Sequence, residues 1–134
     1  MRSRRHASLP SVLQPMRLAA AAAMLCALPT TAKEVPLTGP QIRATISGKY
    51  VTDERHWGHK YFADGRVERS ENGRQRTGRW SVKGNQLCLL RPEISKDEPI
   101  CYRVMRDGQE LQYKDDAQSV VFQGLVRPMP NREP

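Results

Sequence analysis

Between residues 64 and 108 the chain carries four two-residue turn signals, Asp64-Gly65, Asn72-Gly73, Gly84-Asn85 and Asp107-Gly108, followed by a weaker Asp116-Ala117. Asn-Gly and Asp-Gly favour tight hairpins because the central residues of such turns take positive φ. Short apolar or aromatic runs separate them, so the segment reads as a series of antiparallel strands. If each turn is a two-residue loop, Phe62 pairs with Val67, Val67 with Gly78, Val82 with Leu87 and Trp80 with Leu89. The later turns pair Val104 with Leu111, Tyr102 with Tyr113, Tyr113 with Val120 and Leu111 with Phe122. Side chains alternate along a strand, and these registers collect the apolar residues on one face. Tyr61, Ser81, Arg103, Gln112 and Lys114 then fall on the solvated face.

Cys88 and Cys101 flank the one long connection, RPEISKDEP. Placed directly opposite, they set Leu87 against Tyr102 and Leu89 against Ile100, again on the apolar face. A metal site needs about four ligands, and a redox pair reads C-x-x-C; neither pattern is present, so a disulfide Cys88–Cys101 is expected. The predicted fold is mainly β: an antiparallel meander of about seven strands, an open sheet or a partly closed, calycin-like barrel. KYVT, residues 49–52, adds an edge strand.

Before the strands, LTGPQIRATISG predicts one short helix. Thr38 and Gln41 have capping-box spacing, Leu37 and Ile42 occupy the staple positions, and Gly48 is placed as the stop. Ile42 and Ile46 form an apolar ridge suited to packing across an open end of the sheet.

The first 32 residues read as a cleaved signal peptide: Arg2, Arg4, Arg5 and Arg17, the apolar run LAAAAAMLCAL, and small residues Thr30 and Ala32. The run is too short to span a bilayer, and Leu25 before Cys26 argues against a lipid anchor. The organisation is therefore a signal peptide 1–32, a small β domain 33–126 and a Pro-rich disordered tail 127–134. Cleavage leaves 102 residues and, with four arginines gone, a net charge of +4 in place of +8. The expected location is periplasmic or secreted, an oxidising compartment in which paired cysteines form a disulfide. No nucleic acid and no stable membrane insertion is expected.

LTGPQIRATISGKYV, the aromatic strand before DGR, TGRWSVKGNQLCL and CYRV followed by DG together resemble a domain family of unknown function. Its members are small exported, periplasmic proteins of alphaproteobacteria. The likeness covers residues 35–126. It implies location and a compact β-rich fold and supplies no site residues.

The candidate chemistry lies in two stretches. RVERSENGRQRTGR holds Arg69, Arg74 and Arg76, and the expected registers place Lys60 and Arg76 on either side of Arg69, beside Trp80. Adjacent like charges are destabilising, so solvent, Glu71 or an anion must compensate, and guanidiniums suit carboxylate or phosphate. On this reading, Arg69→Ala with Arg76→Ala leaves stability equal or improved. In DERHWGH, residues Asp53, His56 and His59 are weak candidates for a divalent metal; surface histidines without metal are the simpler reading. No nucleophile stands in a catalytic setting and no phosphate cradle appears, so neither enzyme activity nor a cofactor is expected. The function expected is that of an accessory protein binding an anionic ligand or acidic partner through Lys60, Arg69, Arg74, Arg76 and Trp80. Two alternatives are inhibition of an envelope hydrolase by loop 91–99, and divalent-metal binding.

Overall fold

A computed structural model describes residues 33–131 continuously, together with residues 8, 10–12, 23, 24 and 26–28. The expected signal peptide lies largely outside the described residues. The elements are β1 (Val35–Pro36), α1 (Gly39–Ile46), β2 (Lys49–Thr52), β3 (Trp57–Tyr61), β4 (Arg66–Glu71), β5 (Arg74–Lys83), β6 (Gln86–Leu90), β7 (Ile100–Asp107), β8 (Glu110–Lys114) and β9 (Val120–Pro128). From β2 to β9 each strand pairs antiparallel with the next, and β9 returns to β2. The result is a closed eight-stranded barrel, with β1 added to β7 as an extra strand.

Closure corrects the role of KYVT. Its backbone is bonded on both sides, Val51 lying opposite His59 on β3 and Val126 on β9. It is no edge strand. Its second partner lies about 75 positions away, beyond the reach of any turn signal. β9 also takes in Arg127 and Pro128, opposite Tyr50 and Lys49, so the tail expected to be disordered begins inside a strand.

The Asn72-Gly73, Gly84-Asn85 and disulfide registers are those expected: Val67 opposite Gly78, Trp80 opposite Leu89, and Cys88 opposite Cys101, which are bonded. Asn72 and Gly73 both have positive φ, 50° and 78°, as the tight turn demands.

The first turn differs. Phe62 N–H donates to Arg66 O at 2.9 Å, closing a three-residue loop with Gly65 at φ 91°. Tyr61, not Phe62, therefore pairs with Val67. That one-residue slip reverses both faces of β3. Tyr61 and His59 point inward and are fully buried, whereas Lys60 points outward, opposite Glu68. The last two hairpins slip by two, pairing Val104 with Tyr113 and Tyr113 with Phe122. An even slip preserves the faces.

Tyr61, Val67, Trp80, Leu87, Leu89, Tyr102, Val104, Leu111 and Tyr113 fill the interior. α1 closes one end. Thr38 Oγ1 accepts from Gln41 N–H at 3.4 Å and Gln41 Oε1 from Thr38 N–H at 2.9 Å, which is the expected capping box. Ser47 caps the helix and Gly48 follows at φ 71°. Ile42 and Ile46 are fully buried in the barrel cluster, each contributing roughly 1.5–3 kcal/mol. Gly39 makes that docking possible: its N–H donates to Asn85 Oδ1 at 2.8 Å, and a Cβ there would lie 2.1 Å from Gly84 O.

Candidate functional site at the barrel mouth

The end opposite α1 is closed by charge. Arg69 and Glu71, alternate residues of β4, both face inward, and Arg91 and Glu93 enter from the loop after β6. Arg69 Nη2 lies 2.7 Å from each carboxylate oxygen of Glu93, and its Nη1 lies 3.3 Å from Glu71 Oε2. Arg91 donates through Nη2 to Glu71 and through Nε to Glu93, the latter at 3.4 Å. Arg76 adds an outer contact, Nη1 to Glu93 Oε1 at 3.5 Å. The Arg69 side chain is wholly buried, while those of Glu71, Arg91 and Glu93 keep 16%, 15% and 23% of their exposure. Gly78, opposite Val67, leaves the space beside Arg69 Nε, which is buried without a hydrogen-bond partner.

Inside this cluster a hydrogen-bonded chain runs along β3 and across the barrel interior to β8. His59 Nε2 lies 2.8 Å from Glu71 Oε1, His59 Nδ1 3.2 Å from Tyr61 Oη, and Tyr61 Oη 2.9 Å from Tyr113 Oη. Burial holds His59 below its usual range, against the pull of the Glu71 carboxylate. Burial alone would raise Glu71, but the His59 bond and the charges of Arg91 and Arg69 bring it below its ordinary value. Neutral His59 therefore donates from Nε2 to ionised Glu71, leaving Nδ1 to accept from the Tyr61 hydroxyl; Tyr113 donates to Tyr61. Both imidazole nitrogens are engaged, and each carboxylate answers to arginine.

Loop 91–99 is held in shape above the cluster. Ile94 and Ser95 N–H donate to Arg91 O at 2.9 and 3.0 Å, and Glu98 N–H donates to Ser95 Oγ at 3.1 Å. The disulfide joins the strands on either side. Ile94 is 60% exposed.

The five residues expected to form a basic contact surface are dispersed. Arg69 and Arg76 are cross-strand neighbours as expected, but Arg69 is internal and its compensation is Glu71 and Glu93. Trp80 is buried, its Nε1–H donating to Phe62 O at 2.7 Å. Lys60 faces outward away from Arg69, so the three-cation row does not form. Arg74 and Arg76 remain at the surface by the Asn72-Gly73 turn. Asp53 is a turn former: its Oδ1 accepts from the N–H groups of Arg55, His56 and Trp57, at 2.9, 2.7 and 2.9 Å. Those donors outweigh the effect of burial and hold its carboxyl well below the usual range. Exposed His56 pairs with Asp53, and His59 faces the interior. Among the described residues no group of three or more His, Cys, Asp or Glu is arranged to hold a metal.

Two features of the mouth lack a sequence signal. Arg91 follows a strand with no motif around it, and the Tyr61–Tyr113 contact joins strands whose registers both differ from the simplest turn count. Comparison with known protein families, with curated proteins and with solved structures finds no match.

Proposed function

We propose that this is a non-enzymatic exported protein that binds an acidic protein partner with the barrel mouth, where the 72–76 hairpin tip and loop 91–99 form one surface. The observation that carries this reading is the position of Glu93, which accepts simultaneously from Arg69, Arg76 and Arg91 and so locks loop and hairpin together. A surface fixed before contact loses less conformational freedom on binding. Arg74 and the outer face of Arg76 supply the charge, and Ile94 supplies an apolar anchor. The packed interior and the full engagement of His59, Glu71 and Glu93 support binding over catalysis. The signal-like N-terminus and the disulfide support export.

A second reading is inhibition of an envelope hydrolase, favoured by the exposure of Ile94 on a loop tied at its foot by the disulfide. Arg74→Glu and Ile94→Asp test the surface. Each should keep the parent's melting behaviour and lose saturable capture of a partner from envelope extract. Capture unchanged in both variants overturns the mouth assignment. If a cell-wall hydrolase is the captured species and its activity falls with added protein, the inhibitor reading prevails.

A further inference from the structure

The end of the barrel occupied by α1 carries a second basic feature, unrelated to the mouth. Two clefts of about 570 and 480 Å³ adjoin along the helix and share Ala44, Thr45 and Arg106 as a common wall. The larger is flanked by Lys49 and Arg127, with Val126 and Pro128 beside them. The smaller is flanked by Lys33 and Val35. Four cations therefore line the groove that the two adjoining clefts make up, and no Asp or Glu does among the described residues.

The cations are poised differently. Arg106 is fixed by neutral acceptors, Nε donating to Gly108 O at 2.7 Å and Nη1 to Thr45 Oγ1 at 3.4 Å. A guanidinium has five N–H donors, so the rest of this one remains available at the groove's midpoint. Lys33 and Lys49 are exposed and have no ion-pair partner among the described residues. Arg127 is already paired, its Nη2 lying 2.9 Å from Glu54. Two nearby carboxylates are turned elsewhere, Glu34 to Lys114 and Glu110 to Gln123. Lysine, arginine and lysine thus follow one another along the groove, separated by small or apolar surface. Val35 is 54% exposed.

We infer that this groove binds an extended acidic peptide, its carboxylates meeting Lys33, Arg106 and Lys49 and its intervening apolar side chains meeting Val35, Val126 and Pro128. A compact single anion would use Arg106 alone. The apolar surface between the charges favours a chain that carries both kinds of group. The site lies at the opposite end of the barrel from the mouth and stands or falls independently of it.

The test uses the oxidised protein and a fluorescent ten-residue peptide alternating glutamate with leucine and alanine, followed by anisotropy. Saturable binding that falls with added salt is expected. Lys33→Glu with Lys49→Glu should weaken it by about tenfold or more. Arg106→Lys should weaken it by a smaller factor, because charge is kept and the fork is lost. Arg74→Glu at the mouth should leave it unchanged. An unlabelled analogue with glutamine in place of each glutamate, added as competitor, should leave the binding unchanged. Equal binding by the parent and the Lys33/Lys49 variant overturns the proposal. So does stronger competition by inorganic phosphate than by unlabelled peptide, which makes this a phosphate site. Binding to anionic phospholipid vesicles without binding to peptide makes it a membrane contact and overturns the proposal equally.

Discussion

Arg69 on β4 grips Glu93 in the loop after β6 with Nη2 2.7 Å from both carboxylate oxygens, so a strand in the barrel wall and the loop above it share one buried charge contact. Arg69→Met removes the buried one of the two cations that Glu71 and Glu93 share, leaving Arg91 to bridge them. The expected loss is roughly 3 kcal/mol, the low end for a broken buried pair, because Arg91 still pairs with both carboxylates and each keeps some solvent. Arg76→Ala, at a half-exposed contact, should cost less than about 1 kcal/mol. Urea unfolding of the two variants checks this, and equal stability of Arg69→Met and parent would contradict the latch. The outcome reverses the neutral or stabilising effect expected from the sequence for the double alanine variant, because the compensating carboxylates are already in place.

Acidification should destabilise the barrel in two stages. The unfolded chain takes a proton on His59 near pH 6.5, whereas burial opposes it in the folded state. Stability therefore falls as pH drops below about 6.5. Glu93 is raised by burial but brought down to about 2 by the bond and charge of Arg69, with Arg91 assisting. Its contribution is present above the ordinary carboxylate range and is lost as pH falls from about 4.5 toward 2. Melting temperature measured from pH 8 to pH 3 should show both limbs. His59→Gln should flatten the upper limb and keep the lower.

The hydroxyl chain has a direction that mutation can read. Tyr61→Phe removes the donor to His59 and the acceptor for Tyr113, and should cost roughly 1–3 kcal/mol. Tyr113→Phe leaves the Tyr61-to-His59 bond intact and should cost less. Chemical denaturation of both single variants and the double variant would show coupling between them, and a larger loss for Tyr113→Phe would contradict the assigned direction.

Gly39→Ala should loosen the helix at the barrel end. Its Cβ would come 2.1 Å from Gly84 O, a backbone atom with little room to yield. A loss of roughly 1–3 kcal/mol is expected, the scale of overpacking in a tight contact. A melt indistinguishable from the parent's would show that α1 docks with more freedom than its contact with the β5–β6 turn indicates.

Reduction of Cys88–Cys101 should lower stability by roughly 2–4 kcal/mol without changing the strand register, since β6 and β7 are also held by their outer neighbours. Denaturant midpoints with and without reductant measure the loss, and retained far-ultraviolet circular dichroism reports the fold.

Turn chemistry made much of this legible. Asn72-Gly73 and Gly84-Asn85 define their registers, and the two cysteines supply the register of the one connection without a turn signal. Asp64-Gly65 misleads because the same dipeptide closes both a two-residue and a three-residue loop. The difference moves Tyr61 and His59 from solvent to core. The mouth was legible in part: Arg69 opposite Arg76 calls for compensation, and Glu71 lies two residues away. Glu93 and Arg91 arrive through a loop whose path depends on tertiary packing, so neither contact has a local signature.

The pairing of β2 with β9 bears on when the fold is reached. Val51 and Val126 meet across about 75 positions of the chain, so the last seam closes only after Pro128 is available. Contacts this distant slow folding. A chain emerging progressively from the ribosome would hold its hairpins before it held a barrel. Loss of the final nine-residue strand would expose both β2 and β8 as open edges, turning a self-contained protein into one prone to pair with its neighbours.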